Sequence, residues 1–312
     1  MSQGKPMILE LLASSVKTSA KAGQIIKDIM RQGDLGIVEK GSEPNDLQTE
    51  ADRSAQRCII ASLTKKFPNV TIIGEEGHSH RIDDVVQDWI VSEVDQSVLA
   101  LDCPPQYKEV NPQDVVVWVD PLDGTSEYTQ GLLDHVTVLI GIAVQGRAVA
   151  GVIHQPYYGY KTAPDTLGRT IWGLVGSGIG GIQAQTPPKG ELILTTTRSH
   201  NTALVVEALE ALKPSKIVRV GGAGHKALLV IEGLCHAYVF ASNGCKKWDT
   251  CGPEAVLEAA GGVFTDLHGN HYSYGKDVAY PDAQGIFATA KGVDHAELLK
   301  KIPQALKDAF PY

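Results

Sequence analysis

Apolar residues at Leu12, Val16, Ala20, Gly23, Ile26 and Met30 recur at intervals of three and four, so residues 7–31 are predicted as a helix that stops at Gly33. A second helix is predicted over 50–66, with Ile59, Ile60 and Leu63 among its apolar positions and Pro68 just beyond its end. Val70–Ile73 is a short β-rich run that leads into Gly74-Glu75-Glu76-Gly77. Val115–Val119 is an unbroken apolar strand that delivers the chain into Asp120, where Pro121 is expected to stop the ladder. Residues 135–144 and 147–154 read as a hairpin about Gln145-Gly146, with 157–175 adding further strand to the same antiparallel sheet. Gly173 to Gly181 is also read as a hairpin, because no Lys or Arg accompanies its glycines as a phosphate loop would require. Residues 78–114 are polar and irregular, apart from a helix near 82–99.

Between Gly176 and Gly190 the chain is rich in Gly and Pro, and Pro187-Pro188 marks a domain junction. The pattern then alternates: strand 191–196, helix 201–212, strand 216–220, helix 224–233, strand 236–241, helix 250–260, and a closing amphipathic helix over 293–310. The expectation is an α+β half (1–185) with an antiparallel sheet, an α/β half (186–312), and function where the two meet.

Composition narrows the function. The 312 residues carry a formal net charge of -8, and Lys65-Lys66 and Lys246-Lys247 are only pairs, so no basic stretch suits nucleic acid or an anionic membrane. An acidic protein that acts on an anionic substrate has to neutralise it locally, and bound cations are the usual means. No apolar run approaches the ~20 residues of a membrane span. The N-terminal Met1-Ser-Gln-Gly-Lys-Pro6 lacks an apolar signal core. Five cysteines, odd in number and without a Cys-x-x-Cys pair, argue against a disulfide framework or a structural zinc site and for a reducing cytoplasm. His154, His236, His268 and His271 are scattered, without metal-ligand spacing. Nothing in the sequence fixes an oligomeric state.

The most informative stretch is Asp120-Pro121-Leu122-Asp123-Gly124-Thr125. Two carboxylates three residues apart, with the Leu122 carbonyl between them, supply hard oxygen ligands of the kind magnesium takes. An EF-hand loop counted from Asp120 would need an acidic twelfth residue, which is Gly131, and a haloacid-dehalogenase phosphotransferase spaces its aspartates by two. Gly74-Glu75-Glu76-Gly77, Asp46 to Asp52 and Trp248-Asp249-Thr250 add acidic residues at the ends of regular elements. Singly, each reads as a solvated turn, a helix cap or a first-turn carboxylate. Together with Asp120 and Asp123 they read as one cation-binding site.

Gly74-Glu75-Glu76, Asp120-Pro-Leu-Asp-Gly-Thr125 and Trp248-Asp249 together resemble the lithium-sensitive, magnesium-dependent phosphatases of the inositol monophosphatase superfamily. Several longer stretches read like its 3′(2′),5′-bisphosphate nucleotidases. They are Gly33-Asp-Leu-Gly-Ile-Val38, Asp46-Leu-Gln-Thr49, Val116 to Thr125, Thr195-Thr-Thr-Arg-Ser-His200, Arg219-Val-Gly-Gly-Ala-Gly224 and Gly244 to Cys251. The resemblance implies a layered α-β-α-β-α sandwich of the inositol monophosphatase and fructose-1,6-bisphosphatase type. It implies two or three Mg2+ ions held by Glu75, Asp120, Asp123 and Asp249 and by the Leu122 carbonyl, with Asp52 and Thr125 activating the attacking water. The implied reaction removes the 3′-phosphate of adenosine 3′,5′-bisphosphate, with inositol 1,4-bisphosphate and 3′-phosphoadenosine 5′-phosphosulfate as further substrates and Li+ as inhibitor.

By the same resemblance Thr125, Thr197, His200, Gly222 and Lys226 hold the nucleotide. Locally, Gly221-Gly-Ala-Gly224 follows a strand and opens a helix bearing Lys226, which brings free amides and an ammonium toward an anion. The Gly-Lys-Ser/Thr ending of a Walker loop is absent. His225 departs from the family, where a smaller amide residue is expected. Two other readings remain open at this point: an inositol phosphatase of the same superfamily, and a catalytically silent sensor of nucleotide or inositol phosphate. The intact Asp52, Glu75, Asp120, Asp123, Thr125 and Asp249 weigh against the sensor.

Overall fold

The computed structural model describes residues 4–40, 47–77, 86–163, 166–199 and 201–311. The chain opens with α1 (Met7–Gln32), ended by Gly33 at φ +82°, whose amide bonds the Met30 carbonyl. The two-residue strands β1 (Val38–Glu39) and β2 (Leu47–Gln48) pair antiparallel ahead of α2 (Glu50–Lys66), which a reciprocal Thr49–Asp52 capping box starts. Next come β3 (Thr71–Gly74), α3 (Gln96–Leu99), β4 (Val115–Asp123), α4 (Thr125–Thr129), β5 (Thr137–Val144), β6 (Arg147–Gln155), β7 (Arg169–Leu174) and β8 (Gly178–Gly180). These strands form a six-stranded sheet in the order β3-β4-β5-β6-β7-β8, antiparallel except for β3 beside β4.

The chain continues through β9 (Ile193–Thr197), α5 (Ala203–Leu212), β10 (Lys216–Val220), α6 (Ala223–Ile231), β11 (Ala237–Phe240) and α7 (Lys247–Ala259). It ends with β12 (Val263–Thr265), β13 (Ile286–Thr289), α8 (His295–Leu299) and α9 (Gln304–Asp308). The second sheet runs β10-β9-β11-β13-β12. From β9 the chain steps outward to β10, then back across β9 to β11. Right-handed crossovers therefore put α5 and α6 on opposite faces of that sheet. Helices α1 and α2 cover one face of the first sheet, and α6 and α7 lie between the sheets. The result is the α-β-α-β-α sandwich.

Every residue of β4 is buried, which is why its sequence shows no alternation. Val115, Val117 and Val119 pack with α1 and α2, whereas Val116 and Trp118 belong to the core shared with α7 and the second sheet. The sheets change over between Gly180 and Ile193, yet that shared core joins Leu139 and Ile153 to Leu194 and Leu257, so packing is continuous across the change.

Helix α7 can lie against the first sheet because three glycines fall side by side across it. Gly141 pairs with Gly151 and Gly151 with Gly173. A Cβ at Gly151 would come within 2.4 Å of the Gly252 carbonyl oxygen of α7, and one at Gly141 within 2.5 Å of the Gly252 nitrogen. Backbone on both sides leaves nothing flexible to yield. Gly151→Ala should therefore cost about 1–3 kcal/mol in a urea melt, the scale of an overpacked core, and weaken metal binding, since α7 carries Asp249. An unchanged urea midpoint would refute the close-approach account.

Several expectations need correction. The strand at Asp120 does not end at Pro121: pairing with β5 breaks after Asp120–Leu139 and resumes at Asp123–Thr137, so the missing amide makes an irregularity within β4. Of the helix near 82–99, residues 82–85 lie outside the described residues, and the remainder holds a 3₁₀ turn at Gln87–Trp89 and the short α3. Among the described residues of 157–175 only β7 is strand, preceded by turns. The closing helix is two short ones, because Pro303 cannot continue α8 and instead precedes α9. Strands β12 and β13 were not anticipated.

Candidate active site

The irregularity in β4 shapes the site. Asp120 turns a carboxylate oxygen back to accept from the Leu122 amide at 3.0 Å, and Gly124, at φ +91°, swings the chain into α4. Asp123 is held from two further elements. Its Oδ2 accepts from the Thr137 hydroxyl at 2.6 Å and the Gly224 amide at 2.8 Å, and its Oδ1 from the Ala223 amide at 2.8 Å. The glycine turn is thus an anion cradle, but the anion in it is the protein's own Asp123. This corrects the expectation that those amides face substrate. Gly222 sits at φ +74°, where a Cβ would also meet the His135 carbonyl oxygen at 2.5 Å, so the turn admits only glycine there. A carboxylate offers about four lone-pair sites; three are used, leaving one for a cation.

Asp249 arrives from the first turn of α7, fixed by the Lys246 amide at 2.7 Å. Asp120, Asp123 and Asp249 each place an oxygen within 4.8 Å of the others. Burial pushes the Asp120 and Asp249 carboxyls well above the usual range, and the charge of Glu75 and of the neighbouring aspartates pushes them further. Burial also raises Asp123, although its hydrogen bond from Thr137 and the charge of Lys226 oppose the rise. Two buried carboxylates and a half-buried one crowded together suit a hard divalent cation taking oxygen ligands. Glu75 lines the same cleft, yet its oxygen is 3.0 Å from the Lys40 ammonium, which also reaches Glu76. Burial alone would lower the Lys40 pKa, but the charges of Glu75 and Glu76 raise it above its ordinary value. Lys40 was not foreseen, because a lone lysine just beyond a two-residue strand carries no sequence signal.

Asp52, the third residue of α2, has no exposed surface. The Thr49 amide donates to its Oδ2 at 2.7 Å, and the Thr125 hydroxyl donates to its Oδ1 at 2.8 Å. Thr125 is also 3.0 Å from the Leu122 carbonyl. Burial raises the Asp52 carboxyl to about 7, against the Thr49 hydrogen bond and with the charge of Glu76. Thr125 is not a cap: α4 is preceded by Gly124 and has no side-chain cap.

Thr125, Thr197, Gly222 and Lys226 line one cleft with Glu75, Asp123 and Asp249. Lys226 is 5% exposed; its ammonium donates to the Gly222 carbonyl at 2.7 Å and lies 5.3 Å from the Tyr238 ring centre. His200 and Asp46 lie outside the described residues. His225 stacks on His135 with ring centres 5.0 Å apart, and the His135 Nδ1 accepts from the Gly221 amide at 3.1 Å. The departure at His225 thus braces the glycine turn. It could not be read from sequence, because His135 lies on a different segment.

A layered sandwich whose two sheets converge on clustered aspartates is the architecture of metal-dependent phosphatases. Residues 8–307 match the inositol monophosphatase family, and the chain belongs to it. It is 50% identical over 311 residues to human 3′(2′),5′-bisphosphate nucleotidase 1, covering 99% of each chain. Among solved structures, the extragenic suppressor protein SuhB of Bartonella henselae superposes with a TM-score of 0.66 at 22% identity, over 93% of this chain and 96% of that one. Staphylococcus aureus inositol monophosphatase II bound to 2′-AMP does so with 0.64 at 20% identity, over 94% of each. Among the described residues no helix is long and apolar enough to cross a membrane.

Proposed function

We propose that this chain hydrolyses the 3′-phosphate of adenosine 3′,5′-bisphosphate to AMP and phosphate in a Mg2+-dependent reaction. The observation that carries the substrate is the 50% identity to the human nucleotidase across 99% of both chains; inositol 1,4-bisphosphate and 3′-phosphoadenosine 5′-phosphosulfate are proposed as further substrates. Glu75, Asp120, Asp123, Asp249 and the Leu122 carbonyl are the proposed ligands of two or three ions. Bound magnesium would supply Lewis acidity and neutralise the phosphate. Asp52 and Thr125 supply the proton path: the Thr125 hydroxyl, held by Asp52, accepts a proton from the attacking water as its own passes toward the carboxylate. Lys226, Thr197, His200, Gly222 and Thr125 hold the nucleotide. A bisphosphate places a second anion beyond the reacting one, and the Lys226 ammonium on the cleft wall is suited to it. The five cysteines are all buried and unpaired, which supports a reducing cytoplasm as its location.

Phosphate release from adenosine 3′,5′-bisphosphate, inositol 1,4-bisphosphate and inositol 1-phosphate, with and without Mg2+, tests the reading. Li+ should inhibit at concentrations where Na+ and K+ do not. Preference for the inositol monophosphate would overturn the assignment. Lys226→Ala should weaken nucleotide binding by about 1–3 kcal/mol, the scale of a charge-assisted hydrogen bond, with a smaller effect on inositol 1-phosphate, which lacks the second phosphate. Equal losses on both substrates would remove Lys226 from the second anion's site.

A further inference from the structure

Glu254 and Glu258 lie four residues apart on α7 and so share a face. At about 100° per residue that face points roughly away from Asp249. His271, from the segment between β12 and β13, comes over the pair: its Nδ1 is 3.3 Å from Glu254 Oε1 and 3.2 Å from Glu258 Oε1. One atom from each of the three residues lies within 4.8 Å of the others. The sequence, in which His271 stands apart from any metal-ligand spacing, gave no sign of this cluster.

A second observation points to a missing ligand. Glu254 is wholly buried, and its two oxygens are treated differently. The Tyr274 hydroxyl donates to Oε2 at 2.5 Å, while Oε1 accepts no hydrogen bond among the described residues. The cations beside Oε1, His271 and the Arg147 guanidinium at 3.6 Å, approach it without hydrogen-bond alignment. A buried carboxylate oxygen left in that state is costly. Tyr274 meanwhile fixes the Glu254 carboxylate as an outer partner fixes a metal ligand. His271 and Arg147 are both partly exposed and give access from solvent.

We propose that Glu254 Oε1, a Glu258 oxygen and His271 Nδ1 bind one divalent transition-metal cation, of which Zn2+ is the probe, at a site separate from the aspartate cluster. An imidazole with two carboxylates suits such a cation, whereas the aspartate cluster, all oxygen, suits magnesium. Three protein ligands leave a fourth tetrahedral position for water. Arg147, the competing cation, swings outward when the metal enters. The bound ion ties the segment before β13 to the middle of α7.

The test is zinc stoichiometry by equilibrium dialysis in excess Mg2+, with thermal melts in parallel, on the wild-type chain and on His271→Ala, Glu258→Gln and Arg147→Ala. The wild-type chain should hold one more Zn2+ than His271→Ala or Glu258→Gln and should show a zinc-induced rise in Tm that both variants lose. Arg147→Ala should bind Zn2+ at least as tightly as wild type. Mg2+-dependent hydrolysis should be unchanged in all three, which also shows that they fold. Equal zinc stoichiometry and equal zinc-induced shifts in wild type and His271→Ala would mean an ion-pair cluster only, and would overturn the proposal.

Discussion

Asp120→Asn and Asp249→Asn should each cut Mg2+-dependent hydrolysis by about 10²–10³-fold or more, since metal charge stabilisation supplies several kcal/mol, while the metal-free protein melts no lower than wild type. The two effects have opposite causes in one cluster. In the proposed site each aspartate is a ligand when a cation is present, and losing its charge weakens the site. Without one, the same charge is buried among like charges, and removing it relieves repulsion. Linkage gives the pH dependence. A carboxyl raised in the folded state above its unfolded value binds more protons folded than unfolded. The cluster's contribution to the stability of the metal-free protein should therefore be greatest at or below the ordinary carboxylate range and fall as pH rises above it. Either asparagine variant should flatten that slope. Calorimetric melts in chelator across pH, with magnesium titrations at neutral pH, measure both arms. A variant that melts far below wild type in chelator would show that the aspartate holds the fold rather than the metal.

How much of this was legible in the sequence depends on whether a signal is local. The apolar run of β4 and its acidic turn are contiguous, and the Thr49–Asp52 capping box spans four residues, so both could be read directly. The three glycines under α7 sit on three strands and become neighbours only through register, which composition does not reveal. The capture of Asp123 by the amides of Ala223 and Gly224 joins residues a hundred positions apart, and turned an apparent ligand cradle into part of the scaffold of the aspartate cluster. Strands β12 and β13 were missed because each is only three or four residues long and they are joined by irregular chain. The break at Pro303 was readable, but the amphipathic pattern on both sides outweighed it.

The Asp52–Thr125 pair gives a test in which catalysis and structure predict different patterns. Thr125 alone is a weak base. Bonded to a wholly buried carboxylate, its hydroxyl can accept a proton only as it releases its own toward Asp52. The two should act as one unit, so Thr125→Ala and Asp52→Asn should each reduce kcat by about 10²–10⁴-fold, the contribution of an acid–base step. The double variant should be little worse than either single one, because members of a catalytic unit are strongly non-additive. Magnesium affinity should fall much less than in Asp120→Asn. Both replacements should lower the melt modestly: Asp52 closes the capping box of α2, at about 1 kcal/mol, and Thr125→Ala removes a donor from the buried Asp52 carboxylate, at about 1–3 kcal/mol. The measurement is kcat, melting temperature and magnesium dependence for the three variants. Additive losses in kcat, or losses confined to stability, would leave the pair without a role in proton transfer.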